Sequence, residues 1–148
     1  MKLMDCHVHV EALNQRDLES MSLAGIKAII SHTSLPEVQS DIHSKSLFDY
    51  IDRMLNFHTW RTSKYSIETY VCACVSMVGV PVDYEAALAE LPGYIKNLPV
   101  VGIGEIGLEP GSWTCPDLAI QEKILRAQLD IARDLGKTVA IHSPVRDK

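Results

Sequence analysis

The stretch IKAIISH, residues 26–32, is a short run of mostly β-branched and apolar residues that ends on a histidine. A run of this kind, without alternation, is what a strand buried on both faces of a parallel sheet requires. Before it, LMDCHVHV (3–10) reads as a first strand, and the segment between reads as a helix opened by Asn14 with Asp17 three residues on and closed by Gly25. After it, Ser46 and Asp49 resemble a capping box, and Leu47, Ile51, Met54, Leu55 and His58 recur at helical spacing. Arg61 and Lys64 then fall in the last turn, where the helix dipole favours cations.

The same alternation of elements continues to the C-terminus. Residues 67–80 form an apolar run closed by Gly79 and Pro81, and Asp83 offers an N-cap for a helix holding Ala87, Leu88 and Leu91. Pro92 and Gly93 are expected to break that helix early. Residues 99–106 read as a fourth strand, and Pro116 suits the first turn of a long helix. Its stripe of Ile120, Ile124, Ala127, Ile131 and Leu135 is terminated by Gly136, and residues 138–142 read as a fifth strand. The order βαβαβαβαβ with short connections implies right-handed crossovers, hence an α/β fold with about five parallel strands and four helices.

The 148 residues make one domain, expected to span 1–148, and 47% hydrophobic against 22% charged residues excludes a disordered chain. No apolar run reaches the roughly 18 to 20 residues of a membrane span, so no membrane partner is expected. Met1 and Lys2 lead straight into the first strand with no room for a signal sequence, so the expected location is cytoplasmic. The four cysteines (Cys6, Cys72, Cys74, Cys115) are then expected to be reduced thiols, with Cys72 and Cys74 in the core. A net charge of −5 argues against generic binding to a polyanion and leaves room for a local site for one phosphate.

His7 and His9 carry the most chemical information. Two residues apart on a strand, they share a face, and that spacing suits a single metal ion; Asp5 lies on the same face and can orient a ligand. In GIGEIGLE (102–109), Glu105 is the first carboxylate after an apolar run, with Gly102, Gly104 and Gly107 leaving space beside it. A carboxylate at such a position calls for a cation or several donors. His142 is the first polar residue after Val139, Ala140 and Ile141. Parallel α/β folds gather strand C-termini on one ligand-binding edge, so these four residues are expected to converge. Imidazole and carboxylate without thiolate suit zinc, manganese or another divalent ion. His32, at the end of the second strand, and Arg146, shortly after His142, are substrate-binding candidates.

DCHVHV, GEIGLE and the run AQLDIARDLGKTVAIHSP together resemble the TatD-like metal-dependent hydrolases of the amidohydrolase superfamily, nearest the shorter archaeal-type branch. The resemblance extends over the whole chain. It implies a (β/α)8 TIM barrel with one or two divalent metal ions on its C-terminal face, zinc first, with manganese or magnesium as the others. His7 and His9 match the family's strand-one histidines, Glu105 the strand-four glutamate that can bridge two metals, and His142 the strand-five histidine. The implied reaction is hydrolysis by water that the cation acidifies, on a phosphoester, including nucleic-acid ends, or on an amide-type small molecule.

Two departures accompany the resemblance. The family's strand-six histidine and strand-eight aspartate have no counterpart before Lys148, and a (β/α)8 barrel needs about 250 residues, so the sequence is expected to form the front part of a barrel. Open edges on such a piece favour a homo-oligomer, aggregation or inactivity. After the third strand, CVSMVGVP places Ser76 where relatives commonly carry a histidine in a GVHP-like turn. A non-catalytic metal-binding or interaction module is therefore a rival reading. A flavodoxin-like domain ranks last, because no glycine-rich phosphate loop follows the first strand.

Overall fold

The computed structural model describes residues 2–34 and 42–143. Its five strands are β1 (Leu3–Val8), β2 (Ile26–His32), β3 (Glu68–Cys72), β4 (Val100–Gly107) and β5 (Thr138–His142). They form one parallel sheet in the order β1-β2-β3-β4-β5. The helices are α1 (Gln15–Leu23), α2 (Ser44–Arg53), α3 (Thr59–Ser63), α4 (Tyr84–Ile95) and α5 (Leu118–Leu135). Sequential pairing without a reversal of strand order is barrel topology rather than the doubly wound kind. Curvature shows in one contact: His7 of β1 and Glu105 of β4 lie 3.5 Å apart although two strands separate theirs in the sheet. The sheet is a curled half-barrel.

The core lies between the sheet and its helices. Leu18, Leu47, Ile51, Ile29, Val71, Leu91, Ile95, Ile103 and Ile106 are all essentially inaccessible to solvent. Asn14 and Asp17 form the expected reciprocal cap of α1: the Asn14 side chain accepts from the Asp17 N–H, and the Asp17 carboxylate accepts from the Asn14 N–H. Gly136 ends α5 in the left-handed conformation, φ 61°, as its position after the stripe predicts.

Four local expectations are corrected. The helix expected from Ser46 starts at Ser44, because Asp83 supplies the cap from a distance: its carboxylate accepts from the Ser44 N–H at 2.7 Å and hydroxyl at 2.6 Å. Asp83 consequently caps nothing in its own helix, although it stands at the start of α4. Pro92 and Gly93 do not end α4, which runs on to Ile95 because Ala87, Leu91 and Ile95 keep one fully buried stripe. The stripe of α5 is also displaced. Its most buried residues are Gln121, Ile124, Gln128 and Ala132, with Ile120, Ile131 and Leu135 flanking them.

The other difference is in the helix count. The second helical region is α2 and α3 joined by a π-helical turn, Met54–His58, which brings the helices to five. Arg61 of α3 does not serve the helix dipole alone: its guanidinium donates to the carbonyls of Leu13, at 3.0 Å, and Val10. No helix of the described residues is long and apolar enough to cross a membrane.

The Asp83 cap yields a pH test. Its hydrogen bonds from Ser44 hold the Asp83 carboxyl below its ordinary range. The folded chain therefore binds a proton less readily than the unfolded one, and the cap's contribution is complete above about pH 4 and lost as pH falls further. Asp83→Asn is expected to lower the urea midpoint at pH 7 and to flatten its decline between pH 5 and 3, in equilibrium denaturation followed by circular dichroism.

Candidate metal centre

Strand ends β1, β2, β4 and β5 place the histidines and carboxylates on one rim. His7 is the penultimate residue of β1 and His9 the first beyond it, in front of the short turn Val10–Ala12. Their rings meet edge to face, 5.4 Å between centroids. One nitrogen each from His7 and His9 and one oxygen of Glu105 lie within 4.8 Å of one another. His142 approaches from β5, its Nδ1 3.0 Å from Glu105 Oε1, while Glu105 Oε2 faces His7 Nε2 at 3.5 Å. The four residues predicted to converge do so, three as a compact cluster and the fourth through contact with Glu105.

The remaining candidates separate. His32, 2% exposed, stacks on His7 with ring centroids 4.4 Å apart. Its Nε2 pairs with the Cys6 carbonyl at 3.1 Å, and its own carbonyl pairs with His9 Nδ1 at 3.3 Å. His32 thus touches both histidines of the first strand, and burial holds its pKa below the ordinary value. Asp5 orients no imidazole: its carboxylate accepts from the His7 N–H at 3.1 Å. Arg146 lies outside the described residues. Ser76 is buried, and its hydroxyl accepts from the Val78 N–H at 3.3 Å.

Beneath the rim, side chains replace strand pairing. The chain after β3 stays buried, but the Cys74 N–H donates to Thr33 Oγ1 at 2.9 Å, and the Cys74 thiol donates to the Glu105 carbonyl at 3.4 Å. Burial pushes the thiols of Cys72 and Cys74 up to about 11 and about 12, so both behave as packing groups. Gln128 clasps Val75, accepting from its N–H at 2.7 Å and donating to its carbonyl at 2.9 Å. Gln121 does the same for Glu109, at 2.7 and 3.3 Å.

Sequence reasoning missed four groups. Glu109, the last residue of GEIGLE, faces His142 Nε2 at 3.1 Å, so that imidazole bridges two carboxylates. Glu11 places Oε1 3.8 Å from His9 Nδ1. Tyr50 and His58 line a cleft with His9 and Glu11. The periodicity of α2 identifies that helix but says nothing of which positions turn toward the rim.

Glycine in this strand acts differently from expectation. A Cβ on Gly104 would stand 2.7 Å from Ala140 Cβ, and one on Gly107 would stand 2.5 Å from the His142 carbonyl oxygen. These glycines do not open space around Glu105; they let β4 and β5 approach closely, which brings His142 to the carboxylate.

The donor set fits a divalent cation. It combines two imidazoles with a carboxylate, and Glu105, with its side chain 22% exposed, has histidines and no Lys or Arg among its ion-pair partners in the described residues. Comparison with known proteins points the same way. Residues 4–147 match the family model described as TatD related DNase. An uncharacterized metal-dependent hydrolase of Methanocaldococcus jannaschii is 32% identical over 146 residues, covering 99% of this chain and 55% of the relative. An uncharacterized metal-dependent hydrolase TatD of Mycobacterium tuberculosis is 26% identical over 153 residues, covering 99% and 53%.

Among solved structures, a TatD-like protein of Archaeoglobus fulgidus superposes with a TM-score of 0.82 at 25% identity, over 96% of this chain and 56% of the other. A TatD homolog of Escherichia coli superposes with a TM-score of 0.61 at 21% identity, over 95% and 50%, and supports the fold alone. The chain spans about half the length of the curated relatives it matches.

Gly107→Ala tests the strand contact. Overpacking at a backbone atom is expected to cost about 1–3 kcal/mol in urea denaturation, and to weaken metal binding by displacing His142. A substitution that leaves both unchanged removes the close approach from the account of the site.

Proposed function

Because the chain belongs to the TatD-related DNase family, we propose that it carries the front half of a metal-dependent hydrolase site, with His7, His9, Glu105 and His142 as the ligands of one or two divalent ions. One observation carries this reading: two imidazoles and a carboxylate from strands that are not neighbours come within 4.8 Å of one another. Zinc is the leading candidate for a set of nitrogens and oxygens at such spacing, with manganese and magnesium next.

A divalent cation there supplies Lewis acidity, polarising a substrate oxygen and making water acidic near neutral pH. The chain's own residues supply position and charge. His7 and His9 would hold the cation, backed by the ring and carbonyl of His32. Glu105, whose two oxygens face different histidines, would be the catalytic carboxylate and would help hold the cation from β4. Glu109 fixes the orientation of the His142 ring.

The expected reaction is hydrolysis of a phosphoester, with amide-type small molecules as the alternative class and nucleic-acid ends among the phosphoesters to be tested. A non-catalytic metal-binding module is the second reading, separated from the first by whether bound metal is accompanied by turnover.

Zinc titration against a chromophoric chelator is expected to show saturable uptake. His7→Ala and His9→Ala should weaken it by on the order of 100-fold or more, beyond the loss typical of a supporting residue. Hydrolysis of bis(4-nitrophenyl) phosphate in zinc or manganese, abolished in the same variants, supports the enzyme; metal uptake without turnover supports the module. Absence of uptake overturns both.

A further inference from the structure

A cleft of about 610 Å³ opens beside His9, lined by Glu11, Ala12, Ser34, Tyr50, Arg53 and His58 as well. Its volume falls in the range of small-molecule sites. Three polar atoms in its wall are buried, Glu11 Oε2, Tyr50 Oη and His58 Nδ1; Tyr50 lies against the Glu11 carboxylate, whereas His58 Nδ1 has no partner among the described residues. Buried polar atoms are normally paired, because leaving one unpaired costs free energy, so the unpartnered His58 nitrogen beside a tyrosine–glutamate pair calls for a ligand. His58 is the firmest of them, being 3% exposed.

The protonation states narrow the chemistry. Burial first, then the adjacent Glu11 carboxylate, pushes the Tyr50 phenol up, so it remains a donor. Burial, with Arg61 and Arg53 nearby, lowers His58 to about 4, so its ring is neutral. Glu11 only accepts, Tyr50 donates, and His58 does one or the other according to tautomer. Hydroxyl groups serve all three, since each both donates and accepts. An amine satisfies Glu11 but can accept nothing from Tyr50 and is repelled by the arginines. At the cleft, Arg53 is exposed, lies over the Phe57 ring at 5.2 Å and has no carboxylate partner among the described residues. Its guanidinium suits an anion.

We propose that this cleft is the substrate subsite and that it takes a small phosphorylated polyol of pentose-phosphate size, with hydroxyls on Glu11, Tyr50 and His58 and the anionic group on Arg53. The proposal rests on the hydrolase reading for what becomes of the bound ester, but binding in the cleft requires no cation. Arg61 supports the wall by tying α3 to the carbonyls of Val10 and Leu13, which flank Glu11.

The test is calorimetric titration of the full chain, in chelator, with ribose 5-phosphate, ribose and inorganic phosphate. Ribose 5-phosphate is expected to bind saturably with a Kd of about 1 mM or tighter, and more tightly than either fragment. Arg53→Gln should weaken it about tenfold and Tyr50→Phe about fivefold, with circular dichroism and zinc affinity unchanged. Absence of saturable binding, equal binding by both variants, or inorganic phosphate binding as tightly as ribose 5-phosphate overturns the proposal. Loss of zinc uptake with sugar phosphate binding intact would sink the hydrolase reading and leave the cleft assignment standing.

Discussion

One carboxylate organises the rim. Glu105 sits at the end of β4 with His142 on one oxygen and His7 on the other, and no lysine or arginine forms an ion pair with it among the described residues. A partly buried carboxylate with only imidazoles among its ion-pair partners in the described residues is poorly compensated, and a cation supplies what they do not. The constraint acts on the fold as much as on the chemistry. For β1 and β4 to meet across Glu105, the sheet must curl across the two intervening strands, as strands that tilt and stagger toward a barrel do.

The strands are held at the needed spacing by small and unexpected devices. Gly104 and Gly107 allow β5 to lie against β4 with no Cβ between them. Below, Thr33 and Cys74 link the ends of β2, β3 and β4 after regular strand pairing stops. His32 binds the two first-strand histidines from behind, by stacking on one and presenting its carbonyl to the other. Each contact is modest, yet together they fix the positions of the clustered histidines and carboxylate, the preorganisation that a metal site would need.

Much of this was legible in the sequence, and the gaps have physical causes. Apolar runs at 26–32 and 99–106 and the stripe after Pro116 marked the strands and the long helix, because burial leaves a periodic record. His7, His9, Glu105 and His142 were legible because strand parity and strand ends fix where such side chains point. Non-local contacts left no such record. Nothing near Ser44 announces that Asp83, 39 residues on, caps its helix. Pro92 is ordinarily a helix breaker, but the buried side chains of Leu91 and Ile95 outweigh one lost hydrogen bond. Glu11, Tyr50 and His58 each look ordinary on their own element and become notable only where a turn and a bent helix face each other.

The two buried glutamines of α5 have a wider consequence. Gln121 and Gln128 each both accept from and donate to one residue of backbone in the stretches that follow β4 and β3. Apolar surfaces tolerate sliding, since one methyl contact resembles another, whereas an amide clasp has a single register. Turning this helix by one position would strand five backbone groups at once, the Pro116 carbonyl that Gln121 also serves included. The long helix therefore acts as a jig for the rim, and apolar residues around it are free to drift in identity while its two amides are not.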